Sequence, residues 1–133
     1  MTPIKKIAVI GATGRLGAPV TAELAKSFQV RAIVRSPDKA KAMLPPHIEI
    51  AQGDLRDVDS LRAALDGMDA IYLNLATETA NLDLPFYEER EGVENLMTAI
   101  KGLKIQYIAK IGALGAYRSV SMTLTHLDDF LRV

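Results

Sequence analysis

Residues 7–17 read IAVIGATGRLG, an apolar run that passes directly into three glycines spaced three residues apart. The uncharged run predicts a strand that is buried on both faces. Gly11 permits a sharp turn, Gly14 lets the backbone approach a pyrophosphate, and Gly17 lets the following helix pack closely. The N-terminus of that helix points N–H groups and a partial positive charge at the phosphates. The motif therefore predicts a nucleotide-binding turn.

Glycine-rich turns occur in many loops, so the residues around the motif matter. Four apolar residues follow at four-residue steps and predict the buried face of an amphipathic helix: Leu16, Val20, Leu24 and Phe28. Pro19 fits that helix if the helix begins near Arg15 or Leu16, because the first turn does not need its N–H. The predicted helix therefore starts at the phosphate site.

The composition indicates one ordinary globular domain, residues 1–133, with 49% hydrophobic and 24% charged residues. Sixteen Lys and Arg balance sixteen Asp and Glu, so nothing favours a nucleic-acid or membrane surface. The sequence has no cysteine, which excludes disulfides and thiolate catalysis. The two histidines lack metal-ligand partners at suitable spacing, so we expect no metal site. A cytoplasmic location is the expectation.

Apolar runs and helical patterns alternate along the whole chain. The predicted strands are residues 7–10, 29–34, 48–51, 70–75 and 105–111; the predicted helices start near residues 16, 37, 58 and 85, with a weaker helical pattern over 121–133. This alternation predicts a three-layer α/β fold, a doubly wound parallel sheet of Rossmann type with strand order 3-2-1-4-5. Ligands in such sheets bind beyond the carboxyl ends of the strands.

Basic residues lie where the identity of the cofactor is decided. Arg35 ends the second predicted strand, where a carboxylate would hold the ribose hydroxyls of NAD and repel a 2′-phosphate. A guanidinium attracts that phosphate and binds it in a bidentate manner. Arg15 in the glycine turn and Lys39 are further candidates. Solvated surface cations are the alternative interpretation, but two arginines at one predicted spot favour NADP over NAD.

The next two strand ends carry candidates for the rest of the cofactor. Asp54 follows the third strand and is suited to accept a hydrogen bond from the adenine amino group, with Leu55 against the ring; Asp after Gly is also ordinary turn chemistry. After the fourth strand, the small side chains around Asn74, Leu75 and Ala76 let a nicotinamide ribose lie close to the backbone. We expect Asn74 mainly to brace neighbouring strands.

Four segments together are similar to one known family: GATGRLG (11–17), VRSPDKA (34–40), GDLRDVDSLRAALDGMDAIYL (53–73) and EGVENLMTAIKGLKIQYI (91–108). They resemble the NmrA-like family of atypical short-chain dehydrogenases/reductases. The resemblance implies a Rossmann fold that binds NADP or NAD. It assigns the phosphates to the glycine turn (Gly11, Ala12, Thr13, Gly14, Arg15, Leu16 and Gly17), the 2′-phosphate to Arg35, and adenine to Asp54 and Leu55. Some family members are reductases, including quinone reductases, and others are non-catalytic redox sensors that act through a protein partner.

The chain departs from that family in two ways. No tyrosine has a lysine four residues later, so no catalytic tyrosine is assigned and the catalytic residues stay unknown. Family members are also about twice as long, so we expect this chain to be the N-terminal cofactor-binding half, without the substrate region. The short length has three possible origins: a truncated chain, an early-terminated gene or a minimal domain. After the reductase and the sensor, the third interpretation of function is a remnant that folds but does nothing on its own. An unpaired fifth strand or the tail helix is expected to mediate self-association.

Overall fold

The computed structural model describes residues 3–75, 86 and 88–110, which form a five-stranded parallel sheet with helices on both faces. The strands are β1 (Lys6–Ile10), β2 (Gln29–Val34), β3 (Glu49–Gln52), β4 (Ala70–Leu73) and β5 (Tyr107–Lys110). Their order in the sheet is β3-β2-β1-β4-β5, as predicted. The chain crosses from one half of the sheet to the other between β3 and β4, so the strand order reverses beside β1. The glycine turn lies at the end of β1.

Four α-helices connect the strands: α1 (Gly17–Leu24), α2 (Pro37–Met43), α3 (Val58–Leu65) and α4 (Val93–Ala99). A π-helical turn, Glu88–Gly92, leads directly into α4. The Asp57 carboxylate caps α3 by accepting hydrogen bonds from the N–H groups of Asp59 and Ser60, at 3.1 and 3.2 Å. Two glycines with positive φ, Gly67 and Gly102, follow α3 and α4 and let the chain reverse toward the next strand.

The core has two parts, one on each face of the sheet. On one face, α3 and α4 contribute Leu61, Leu65 and Leu96, which are at most 1% exposed. On the other face, α1 and α2 cover the first three strands, with Ala40 fully buried. Val9 and Ile71, on the two central strands, are almost inaccessible to solvent. This arrangement is the three-layer architecture that the alternating pattern predicted.

The predicted buried face of α1 was wrong in part. Leu16 is 57% exposed, and the fully buried positions are Gly17 and Thr21. The Thr21 hydroxyl donates to the Gly17 carbonyl at 2.6 Å, which satisfies its hydrogen bonding inside the core. Leu24 and Phe28 pack at the edge of the core as expected. The helix is too close to the glycine turn at its start for a large side chain to fit between them.

The last described elements are shorter than predicted. The helix expected from about residue 85 is a π-helical turn followed by α4, and β5 begins at Tyr107 instead of residue 105. Val93 and Leu96 are buried and Ile100 is partly buried, as the pattern predicted. The predicted tail helix over residues 121–133 lies outside the described residues.

Candidate functional site

A cleft of about 780 Å³ opens at the carboxyl ends of β1, β2, β3 and β4. Among the residues predicted to bind a cofactor, those that line it are Gly11, Ala12, Thr13, Gly14, Arg15, Leu16, Arg35, Asp54, Leu55, Asn74 and Leu75. Gly17 lies behind the lining, buried under the turn. Ala76 lies outside the described residues. The volume is within the range of ligand-binding clefts.

The glycine turn has its shape because two of its glycines cannot carry a side chain. Gly11 has φ +83°, and a Cβ there would lie 1.8 Å from the carbonyl oxygen of Asn74. A Cβ on Gly17 would lie 1.8 Å from the carbonyl oxygen of Gly11, so the start of α1 rests directly on the turn. Both predictions for these glycines are confirmed. The exposed Gly14 leaves the surface of the turn open toward the cleft.

Asn74 connects the end of β4 to this turn. Its backbone N–H donates to the carbonyl of Ile10 at 2.9 Å, and its side-chain Nδ2 donates to the carbonyl of Gly11 at 3.4 Å. The expectation that Asn74 braces neighbouring strands is confirmed. Its side-chain amide and the start of α1 both approach the carbonyl of Gly11.

The rim of the turn offers unused hydrogen-bond donors. The N–H of Gly14 donates to the carbonyl of Gly11 and the N–H of Ala18 donates to the carbonyl of Gly14. Within the described part of the chain, the N–H groups of Arg15 and Leu16 have no acceptor, and no side chain caps α1. Free N–H groups at the start of a helix form an anion-binding site.

Three basic side chains contribute to the cleft. Arg15, Arg35 and Lys39 line it, and the described residues provide no hydrogen bond or ion pair to any of their head groups. Among the described residues that line the cleft, Asp54 is the one carboxylate. Because the cations outnumber it, the cleft attracts an anion.

The sequence did not single out Ser36, which lies in the cleft between Arg35 and α2. Ser36 precedes Pro37 as the N-cap residue of α2, but its hydroxyl makes no capping hydrogen bond. The hydroxyl therefore remains available to a ligand. Ser before Pro is an ordinary helix-cap pattern, and such a pattern does not indicate a place in a cleft.

One part of the cleft has an apolar wall. Ile33, Leu55 and Leu61 line it beside Gly53, where an added Cβ would lie 2.6 Å from Cγ2 of Ile33. The Asp54 carboxylate accepts a hydrogen bond from the N–H of Arg56 at 2.9 Å, which confirms its turn role. An apolar wall beside a carboxylate suits an aromatic base with an exocyclic amino group.

Metal-binding clusters and membrane-spanning helices are two other features that would indicate function in the described ranges 3–75, 86 and 88–110. Within them, no three His, Asp or Glu side chains group as a metal site requires. No helix there is long and apolar enough to cross a membrane.

Known proteins are similar to this chain in sequence. Residues 11–132 match the model of a family described as NAD(P)H-binding. The chain belongs to this NAD(P)H-binding family. It is 33% identical over 113 residues to quinone oxidoreductase 2 of Escherichia coli, and 42% identical over 74 residues to an NmrA-like family domain-containing oxidoreductase of Aspergillus versicolor. The resemblance to NmrA-like oxidoreductases is thereby confirmed.

Solved structures agree with the family assignment. The crystal structure of an NADPH-dependent quinone oxidoreductase from Escherichia coli, complexed with NADPH, matches 95% of this chain with a TM-score of 0.75 and 30% identity. Triphenylmethane reductase of a Citrobacter species, complexed with NADP(H), matches 94% with a TM-score of 0.70 and 28% identity. The NAD(P)H-binding chain spans 37% of the E. coli quinone oxidoreductase 2 sequence and 44% of each of these two crystallised chains.

Proposed function

We propose that the chain is the cofactor-binding domain of an NmrA-like oxidoreductase that uses NADP(H) in preference to NAD(H). The three cations that line the cleft, which have no partner among the described residues, carry this proposal. The NADPH and NADP(H) complexes of the two crystallised relatives support it. For the whole protein, the proposed reaction is hydride transfer between the cofactor and a carbonyl or quinone substrate.

The proposed placement of the cofactor follows the shape and charge of the cleft. The pyrophosphate lies on the turn from Gly11 to Gly17, where the N–H groups of Arg15 and Leu16 are free to donate. The adenine lies at the apolar wall, with Leu55 against the ring and Asp54 near its amino group. The nicotinamide ribose lies beyond β4, along Asn74 and Leu75.

The preference for NADP(H) follows from the groups at the end of β2. Arg35 and Lys39 are exposed cations without partners among the described residues, and the Ser36 hydroxyl adds a neutral donor. A charge-assisted hydrogen bond contributes about 1.5–3 kcal/mol when formed well, and solvent screening reduces that value here. We therefore expect NADPH to bind about tenfold or more tightly than NADH.

The chain's own contribution to the reaction is binding and orientation. The bound cofactor supplies the hydride chemistry. The proposed contacts hold the adenine and the pyrophosphate, and they thereby set where the nicotinamide lies. The sequence contains no tyrosine followed four residues later by lysine, so no proton donor to the substrate is assigned to this chain.

The resemblance to the NmrA-like family supports a second candidate function, a non-catalytic redox sensor. In a sensor, NADP⁺ and NADPH bind to the same cleft and stabilise conformations that differ in affinity for a protein partner. Turnover of NADPH with a quinone supports the enzyme. Binding without turnover, together with partner affinity that differs between the two redox states, supports the sensor.

Self-association is part of the proposal. β5 is the edge strand of the described sheet, and Tyr107 on it is 54% exposed. The backbone groups along an edge strand are a site where another chain can pair. Analytical ultracentrifugation from micromolar to millimolar concentration tests this, and a constant monomer mass throughout that range would refute it.

Calorimetric titration tests the cofactor proposal. NADPH and NADH are titrated into the wild type and into Arg35→Ala and Lys39→Ala variants, with Arg62→Ala as a control for removing a cation that does not line the cleft. We expect Arg35→Ala to weaken NADPH about tenfold and leave NADH nearly unchanged. Equal affinity of the wild type for both cofactors would refute the preference, and binding of neither would refute the proposed function.

A further inference from the structure

The apolar wall of the cleft is held in place by a helix that does not itself line the cleft. Nδ2 of Asn95, in α4, donates a hydrogen bond to the backbone carbonyl of Leu55 at 2.8 Å. The two residues are 40 positions apart in the sequence, and the bond is partly buried. It is a tertiary connection between α4 and the segment that carries the wall.

A second contact joins the same two parts. Gly92, the last residue of the π-helical turn, is buried against Leu55: a Cβ on Gly92 would lie 3.2 Å from Cδ1 and 3.3 Å from Cβ of Leu55. Val93 and Leu96 belong to the same core cluster as Leu55. The backbone of Leu55 is thus hydrogen-bonded and its side chain is packed, both from the beginning of α4.

The neighbouring residue is fixed differently. The N–H of Asp54 donates to Oγ of Ser60 at 3.0 Å, and its carboxylate accepts from the N–H of Arg56. Both bonds are local, within the loop and the start of α3. Asp54 is therefore held by bonds inside the loop and the start of α3, whereas Leu55 is held by its contacts with the beginning of α4.

We propose that Asn95 is a positioning residue for the adenine end of the cofactor. By holding the Leu55 carbonyl, it keeps the Leu55 side chain at stacking distance from the adenine ring. This inference rests on the proposed function and adds to it a residue that neither touches the cofactor nor lines the cleft. It acts on the adenine, which NADPH and NADH share, whereas Arg35 acts on the 2′-phosphate.

The test uses Asn95→Ala, which removes the donor, and Asn95→Asp, which keeps the size but places a carboxylate against the Leu55 carbonyl. Affinities for NADPH, NADH and the fragment adenosine 2′,5′-bisphosphate are measured by calorimetry, well below the melting temperature of each variant. We expect both variants to lose about fivefold to tenfold affinity for all three ligands. The ratio of NADPH to NADH affinity stays at the wild-type value.

Arg62→Ala is the matched control. It removes a different side-chain hydrogen bond to α4, one that comes from α3: Nη2 of Arg62 donates to the Thr98 carbonyl at 3.2 Å, and neither residue lines the cleft. We expect it to lower the melting temperature without changing the fragment affinity. If it weakens the fragment as much as Asn95→Ala does, general loosening of α4 is the cause and the positioning role is wrong.

The positioning role and the proposed function fail in different ways. If wild type binds NADPH but Asn95→Ala binds the fragment within twofold of wild type, the role of Asn95 is refuted and the function stands. A changed NADPH to NADH ratio in Asn95→Ala also refutes it, because the effect would then lie at the 2′-phosphate. If wild type binds none of the three ligands, both proposals are wrong.

Discussion

Replacing Gly17 by alanine should damage the stability and the cofactor site together. The added Cβ would lie 1.8 Å from the carbonyl oxygen of Gly11 and 2.7 Å from Nδ2 of Asn74. An ordinary contact begins at 3.4 Å, so the start of α1 and the turn must separate by about 1.6 Å. The obstructing atom is a backbone carbonyl, which no side-chain rotation relieves.

The expected free-energy change combines two opposing effects. Alanine is favoured over glycine inside a helix by about 0.5–1 kcal/mol. Overpacking costs about 1–3 kcal/mol, and more when backbone must move. Because the clash at Gly17 is with backbone, we place it at the upper end and expect a net loss of about 2 kcal/mol in the free energy of unfolding.

The same movement displaces the N–H groups that are proposed to hold the pyrophosphate. Hydrogen-bond lengths vary by only about 0.5 Å before the bond weakens, and a shift of about 1.6 Å is larger than that. Losing one charge-assisted bond costs about 1.5–3 kcal/mol. We therefore expect the affinity for NADPH to fall about tenfold to a hundredfold.

Urea denaturation followed by circular dichroism and calorimetric NADPH titration measure the two effects. Gly67→Ala is the control, because Gly67 has φ +82° and open space within 4 Å of an added Cβ. Left-handed backbone costs alanine about 1–2 kcal/mol, so its stability loss is similar while its NADPH affinity stays unchanged. Wild-type stability and affinity in Gly17→Ala would refute the reasoning.

Four further substitutions test other parts of the structure. Two backbone N–H groups at the start of β1 donate to the Asp69 carboxylate at 2.9 Å and hold its pKa below the ordinary 3.8. The stabilising effect of this carboxylate is complete above that value and is lost as pH falls through the lowered pKa. Asp69→Asn should therefore reduce the dependence of the melting temperature on pH between pH 5 and 2. Arg31→Met removes two hydrogen bonds to carbonyls at the end of α3, at 2.8 and 2.9 Å, and should cost about 2 kcal/mol in chemical denaturation. Glu49→Gln should cost under about 0.5 kcal/mol, because the carboxylate is 62% exposed and the Arg31 Nε, 3.1 Å away, is not aligned for a hydrogen bond. Asp57→Ala removes the α3 cap and should cost about 1 kcal/mol in the same assay, and no change would contradict the capping role.

The strand order and most of the cleft could be predicted because they depend on local patterns. An apolar run followed by the glycine turn determines where β1 ends, and right-handed crossovers then determine the order of the sheet. Carboxyl ends of parallel strands lie at one edge, which brought Arg35, Asp54 and Asn74 to one cleft. These steps need only the sequence and general geometry.

The parts that were missed depend on contacts between distant residues. Hydrophobic periodicity selects large side chains for a buried face, but close approach to the glycine turn buries Gly17 and exposes Leu16. The π-helical turn before α4 places Gly92 against Leu55, and the hydrogen bond from Asn95 to Leu55 spans 40 residues. No single-sequence pattern encodes such a pairing.

The central claim is that the cleft at the glycine turn binds NADPH. A titration of ¹⁵N-labelled protein with NADPH, followed by two-dimensional NMR, tests it most directly because each backbone amide reports separately. We expect saturable shifts that are largest at Gly14, Arg15 and Leu16, with further shifts at Arg35 and Leu55. Saturable shifts confined to other parts of the chain, or none at millimolar NADPH, would contradict the claim.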